Sequence, residues 1–354
     1  MKIYRVGIVG LTGIASATPS VSEKSPLRSP MPISHASAYA VLPQTRVVAV
    51  CDLIPERRED FVRRWSHVWS PIATYPDYRE MLARESLDIL SVVTSDHRHA
   101  DIVVEAAEAG VKGIFCEKPI ATSLEDADRM IEAVERNKAI LSVDHTRRWS
   151  PIYHKAKELI RTGAIGRLRF ILGTLGGPRA MLFRNGTHLI DALCFFAEED
   201  PEWVMAELDE GYEDYWEYRG DGGHDPAKEP GALAYIRFKN GIRAFYNGTR
   251  PSIPDFSLEL MGSEGRIHVD DAKVELFTLD SKSGGLAHRI VRPEAYMKSG
   301  IVAAIEELIG LMERGGEGIS NGREARKALE IIIAILESQR RGNAKVRLPM
   351  PRKA

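Results

Sequence analysis

Gly113-Ile114-Phe115-Cys116-Glu117-Lys118-Pro119-Ile120 is the stretch on which the fold turns. The apolar run over residues 111–116 reads as a buried strand, and Pro119 fixes the backbone just beyond it. Ligands of open α/β sheets sit outside the carboxyl ends of the strands, so a lysine there points into a site. The other reading of Glu117 and Lys118 is a solvated pair in a surface turn. The flanking segments decide between the two.

Upstream, residues 87–93 read as a strand, followed by Thr94-Ser95-Asp96-His97-Arg98-His99 and a helix over 100–109 that Gly110 stops. Downstream, Ser123 caps a helix with Asp126 as the short partner of a capping box, and residues 140–143 form a further strand. At the start of the chain, the apolar run 4–9 ends in Gly10-Leu11-Thr12-Gly13-Ile14-Ala15. A strand followed by tight glycines brings pyrophosphate onto a helix N-terminus. Gly10 and Ala15 fit the first and third places of the dinucleotide fingerprint, whereas Thr12 stands at the second. Strand and helix alternating over the first 145 residues or so imply a parallel, doubly wound sheet.

Residues 16–34 interrupt the pattern with four prolines and six serines, so they read as an irregular insertion, either an inert loop or a cover over the first βα turn. The second strand, 46–51, is closed by Asp52, 42 residues after Gly10. An acid there can accept from both adenosine ribose hydroxyls and repel a 2′-phosphate, favouring NAD over NADP. Arg57 and Arg58 lie close enough to weaken that discrimination, so NADP stays open. Pro55 suits the first turn of the next helix.

The chain has 354 residues, 44% hydrophobic and 28% charged, with a formal charge of −2. That is enough for two domains, and the charge offers no attraction for nucleic acid or an anionic membrane. The longest apolar run, 331–336, is far short of a membrane span. The N-terminus runs straight into a strand, so no signal peptide is expected. Cys51, Cys116 and Cys194 are scattered in apolar surroundings without metal-type spacing, as buried thiols in a reducing, cytoplasmic compartment.

After Trp149-Ser150-Pro151 the pattern changes. A helix over 152–162 leads into strands at 167–175, 203–208, 232–238, 242–247, 257–261, 266–269 and 274–277. This implies an α+β domain with a mostly antiparallel sheet, closed by helices at 302–314 and 323–341. The expected domains are therefore 1–146 and 147–354. Within the second, Arg184-Asn185-Gly186-Thr187-His188-Leu189-Ile190-Asp191 opens a helix that buries Leu189, Ile190, Leu193 and Phe196. His188 and Asp191 share its other face, as a histidine bonded to its own aspartate or as parts of a site; no third ligand suggests a metal. The run Gly211-Tyr212-Glu213-Asp214-Tyr215-Trp216-Glu217-Tyr218-Arg219, continuing to His224, alternates aromatics with acids. That suits carbohydrate or a subunit contact.

The glycine turn, the Thr94–His99 segment, Cys116-Glu117-Lys118-Pro119, Arg147-Arg148-Trp149-Ser150-Pro151, Gly163-Ala164-Ile165-Gly166, His188-Leu189-Ile190-Asp191 and Asn321-Gly322-Arg323-Glu324-Ala325 occur in that order. Over essentially the whole chain this resembles the glucose-fructose oxidoreductase/inositol dehydrogenase/rhizopine catabolism (Gfo/Idh/MocA) family. The resemblance implies an N-terminal Rossmann domain and a C-terminal domain whose open sheet forms a homo-oligomer interface. It implies NAD, and a sugar or cyclitol as substrate. Cofactor contacts are expected from Gly10, Thr12, Gly13, Ile14, Asp52, Thr94, Ser95, His99, Glu117 and Lys118. Lys118 is the expected catalytic residue and His188 its partner, managing the hydroxyl proton while hydride moves.

Inositol dehydrogenase-like members carry an aspartate four residues before the histidine, where this chain has Arg184. With Arg179, it could hold a substrate carboxylate or phosphate, or it could pair with an acid such as Asp191. His145, Arg148 and Trp149 complete the expected substrate residues. The resemblance also admits a redox-neutral glycosidase or epimerase that retains its NAD, and a nucleotide-sensing transcriptional regulator.

Overall fold

A computed structural model describes residues 2–21, 30–218, 220, 225–250, 252–279, 284–292 and 300–351. They divide into two compact units, Met1–Thr146 with Lys298–Arg323 and Arg147–Met297 with Glu324–Ala354.

The first unit opens with β1 (Tyr4–Val9), α1 (Gly13–Ser16), a short hairpin of β2 (Ser20–Val21) and β3 (Pro30–Met31), and α2 (His35–Val41). There follow β4 (Thr45–Cys51), α3 (Pro55–Trp65), β5 (Ala73–Tyr75), α4 (Tyr78–Arg84) and β6 (Ile89–Val92). The series closes with α5 (His99–Glu108), β7 (Gly113–Cys116), α6 (Leu124–Arg136) and β8 (Ile140–Val143). The six-stranded sheet has the order β5-β4-β1-β6-β7-β8, and its strands pair in parallel. Chain order reverses between β1 and β6, the switch point at which doubly wound sheets open a crevice. Helices cover both faces, so β6 and β7 are buried at every residue and read as unbroken apolar runs. Ser123 caps α6 by accepting from the Asp126 N–H at 3.1 Å, while its hydroxyl donates to the Asp126 carboxylate at 3.0 Å.

The insertion splits the crossover helix after β1. α1 is a single turn, and α2 resumes the helix behind a Ser34–Ser37 capping box. Ser34 Oγ donates to the Ala17 carbonyl, pinning the two pieces together, and Trp65 Nε1 of α3 holds the end of α1 through the Ser16 carbonyl at 3.0 Å. Residues 22–29, the middle of the insertion, lie outside the described residues.

The second unit begins with α7 (Pro151–Arg161), β9 (Leu168–Gly176), α8 (Gly186–Ala197), β10 (Pro201–Leu208), β11 (Ala232–Phe238) and β12 (Arg243–Thr249). It continues with β13 (Asp255–Gly262), β14 (Gly265–Asp270), β15 (Val274–Leu279) and β16 (Leu286–Val291). The chain ends in α9 (Ile301–Arg314), α10 (Gly322–Arg340) and β17 (Val346–Arg347). The nine-stranded sheet runs β16-β15-β14-β13-β9-β12-β11-β10-β17, antiparallel except for β12 beside β9. One face is buried under helices. Leu189 and Leu193 of α8 approach Gly173 so closely that a Cβ there would lie 3.0–3.1 Å from them. Ser338 and Gln339 of α10 bond the β10 backbone at Ala206 and Leu208.

The expectation of one uninterrupted second domain over 147–354 needs correction. Residues 298–323 return to the first unit, where the apolar face of α9 packs on α2, β7 and β8. Met312 and Leu308 of α9 lie directly over Gly113. An apolar helix must bury its stripe, but the sequence pattern does not say against which sheet.

Candidate active site

The glycine turn sits at the switch point of the parallel sheet. Gly10 has φ +88°, and a Cβ on it would lie 2.4 Å from the Val93 carbonyl oxygen, so only glycine fits. Gly13 is different: a Cβ there meets nothing within 4 Å. Thr12, Gly13 and Ile14 form an exposed strip, with Thr12 in ordinary extended backbone. Asp52 accepts from the Leu11 N–H at 2.9 Å and the Ile54 N–H at 3.0 Å, tying the turn to the entry of α3. Both arginines attend it, Arg58 through the Asp52 carbonyl and Arg57 at 3.7 Å from the carboxylate.

On the other side of β1, Thr94 and Ser95 follow β6, half-buried. His99 is buried, with Nδ1 3.0 Å from the Pro119 carbonyl and Nε2 3.1 Å from the Thr94 carbonyl. It is a strut joining the loop after β6 to the Glu-Lys-Pro loop after β7.

Glu117 and Asp144 are neighbours because β7 and β8 pair in register, Cys116 opposite Val143, and each strand is followed at once by an acid. The Asp144 N–H donates to the Cys116 carbonyl at 2.9 Å. His35 reaches the pair from α2: its Nε2 lies 3.3 Å from Glu117 Oε1 and its Nδ1 3.0 Å from Ser91 Oγ, which also meets Tyr39 Oη at 2.8 Å. One ligand-type atom from each of His35, Glu117 and Asp144 falls within 4.8 Å of the others, all buried. Burial opposes the charge of Glu117, but the His35 hydrogen bond and the Lys118 ammonium hold its carboxyl below the usual range. Burial, then the adjacent Glu117 charge and hydrogen bond, push Asp144 well above it. Lys118 is half-buried; its backbone N–H donates to Glu117 Oε2 at 3.2 Å, and its peptide bond to Pro119 is cis. His145, next in the chain, is buried.

The remaining expected residues belong to the second unit. His188 lies in the first turn of α8, half-buried, and Arg184 is half-buried just before that helix. Arg179 is exposed. The buried Glu229 accepts from the N–H groups of Phe183 and Arg184 at 2.8 and 3.0 Å and so shapes this loop. Asp191 has a buried arginine beside it. Both its oxygens accept from Arg148 Nε at 2.9 Å, with Arg148 4% and Asp191 1% exposed, and Arg148 reaches Glu324 at 3.1 Å. Arg148 and Asp191, both expected at the substrate, form a buried ion pair, and Trp149 next to Arg148 is buried too. In the aromatic–acidic segment, Tyr218 stacks on Phe183 at 3.8 Å in the core, whereas Trp216 is exposed. Residues 219 and 221–224 lie outside the described residues.

The sequence reading missed His35, Asp144 and Glu229. For Asp144 a signal existed: like Asp52 and Glu117, it is the acid immediately after an apolar strand.

Comparison with known proteins matches residues 4–145 to the Gfo/Idh/MocA oxidoreductase family with its NAD-binding Rossmann fold, and residues 153–268 to the C-terminal domain of that family. The chain is 25% identical over 298 residues to the myo-inositol 2-dehydrogenase of Thermotoga maritima, covering 80% of each. It is 26% identical over 337 residues to the D-apiose dehydrogenase of Paraburkholderia graminis, covering 87% of this chain and 85% of that one. A levoglucosan dehydrogenase solved with NADH and L-sorbose shares the fold, with a TM-score of 0.78, 21% identity and coverage of 99% and 100%.

Proposed function

We propose that this chain, which belongs to the Gfo/Idh/MocA family of NAD-binding oxidoreductases, oxidises a hydroxyl-bearing carbon of a sugar, cyclitol or related polyol, or reduces the corresponding carbonyl. The observation that carries this reading is the position of Lys118. It stands at the carboxyl end of β7, on a loop that His99 braces, beside the switch point that carries the Gly10 turn.

The residues present fit a dinucleotide. The obligatory glycine at Gly10, the open space at Gly13 and the acid after β4 are what a pyrophosphate and an adenosine ribose require. Thr12, Gly13 and Ile14 would hold the phosphates, Asp52 the ribose, and Thr94, Ser95 and Glu117 the nicotinamide half. NAD, when bound, supplies the hydride acceptor. The chain's own task is the proton. Lys118 takes the hydroxyl proton or steadies the developing alkoxide, and His188 is the second acid–base group, of a type suited to neutral pH. The Asp52 carboxylate repels a 2′-phosphate, so NAD is the preferred cofactor.

Cofactor binding is assigned to the first unit, substrate recognition and assembly to the second. Arg179 and Arg184, where inositol dehydrogenase-like members carry an aspartate, suit a substrate with a carboxylate or phosphate. His145 and Trp149 support the site from buried positions. The outer face of the nine-stranded sheet presents Phe170, Leu172, Trp203, Met205, Tyr235 and Phe245 as a contiguous apolar surface, suited to a second copy of the chain. Three buried free thiols suit the cytoplasm, and among the described residues no helix is long and apolar enough to cross a membrane.

The test is a panel of inositols, aldoses, polyols and uronic acids with NAD and NADP, read by nicotinamide fluorescence. Turnover with NAD on a member of the panel supports the reading, and acidic sugars alone would support the arginine assignment. Silence across the panel would refute the polyol reading.

A further inference from the structure

We propose that Asp144 and Glu117 hold a single proton between their carboxyl groups, and that this buried pair is the proton store behind Lys118. The inference deepens the dehydrogenase reading and rests on it for its kinetic part.

The geometry forces the two acids together. In-register pairing of β7 with β8 delivers them side by side, and the Asp144 N–H is bound to the residue preceding Glu117. Both are buried, Asp144 at 3% exposure and Glu117 at 9%. Two like charges at this separation in a dry interior cannot both persist, so one carboxyl keeps a proton. Which one is settled by the surroundings. Glu117 has His35 and the Lys118 N–H on its oxygens and feels the Lys118 charge, whereas Asp144 Oδ1 has no hydrogen-bond partner. The Cys116 thiol is held protonated by burial and adds no charge. The proton therefore rests on Asp144, in a hydrogen bond to Glu117.

Lys118 follows Glu117 in the chain, its backbone N–H donates to Glu117 Oε2 at 3.2 Å and its charge favours ionisation of both carboxyls, so Lys118 is the proton's destination in this proposal. In the reducing direction the Lys118 ammonium gives a proton to the nascent alkoxide as hydride arrives from the nicotinamide. The Asp144 proton then refills the amine and leaves both carboxyls ionised until water restores the pair. Oxidation runs the same transfers backwards. Asp144 touches no substrate in this scheme; it is a positioning residue that acts through Lys118.

Infrared difference spectra of full-length wild type and Asp144→Asn at neutral pH test the shared proton without cofactor. The expected result is a protonated-carboxyl C=O band that shifts in D2O and is missing from the variant; only carboxylate bands would overturn the proposal. Should Asp144→Asn fail to fold, the pH titration of the wild-type band decides the same point. Loss of that band with stoichiometric retention of Zn2+ would make the cluster a cation site and overturn it too. With NAD and myo-inositol, or the best panel substrate, Asp144→Asn should lower kcat at least about tenfold and displace a limb of its pH profile, at unchanged KM for NAD. A fall equal at every pH would overturn the relay. No turnover by wild type would remove the dehydrogenase reading and the relay together, whereas turnover without the band would remove this proposal alone.

Discussion

Glu117 and Asp144 respond to pH with opposite signs. The folded-state value of Glu117 is depressed, so its stabilisation is present above the ordinary value of 4.5 and is lost as pH falls below it. That of Asp144 is raised, so its contribution is complete below the ordinary value of 3.8 and is lost as pH climbs through the folded value. Glu117→Gln should therefore flatten the acid side of a melting-temperature profile, and Asp144→Asn the side above it. Matching profiles for wild type and both variants would contradict this assignment. The Arg148–Asp191 pair makes a simpler claim. Asp191→Ala removes the buried partner of Arg148, so it should cost about 3–5 kcal/mol in urea unfolding; a cost near zero would mean that the pair is dispensable. The second arrangement could not be read from the chain. Motifs point to residue types, but whether an arginine meets a substrate or an aspartate 43 positions away depends on packing.

The parallel sheet was legible in the sequence because buried strands there are unbroken apolar runs bounded by glycines and caps. Ala73–Tyr75 was not, since a three-residue edge strand carries too short a pattern to register. The same holds for α9, whose apolar stripe announces burial but not its partner. The insertion was legible as a break, yet only the structure describes how it is contained, by rejoining the helix at Ser34. That cap accepts from the Ser37 N–H and donates to the Ala17 carbonyl. Ser34→Ala should cost about 1–2 kcal/mol, measured by chemical denaturation; an unchanged midpoint would show that α2 does not depend on it.

Taken whole, the chain joins a unit with a dinucleotide-type switch point to a unit with a large open sheet. The outer face of that sheet carries Tyr235 stacked on Phe245 at 5.0 Å, with Trp203 against Tyr235 at 4.8 Å. Placing a charge there, as Phe245→Glu, should shift the chain toward monomer in sedimentation velocity while leaving its melting temperature nearly unchanged. An unaltered assembly would move the interface elsewhere. Lys118 is the proposed centre of the chemistry, and its most direct test is the rate of NAD reduction on the best panel substrate by wild type and Lys118→Ala, with NAD affinity measured alongside. If Lys118 handles the hydroxyl proton, kcat falls about 10²–10⁴-fold with NAD binding largely retained. Full turnover by Lys118→Ala would contradict it.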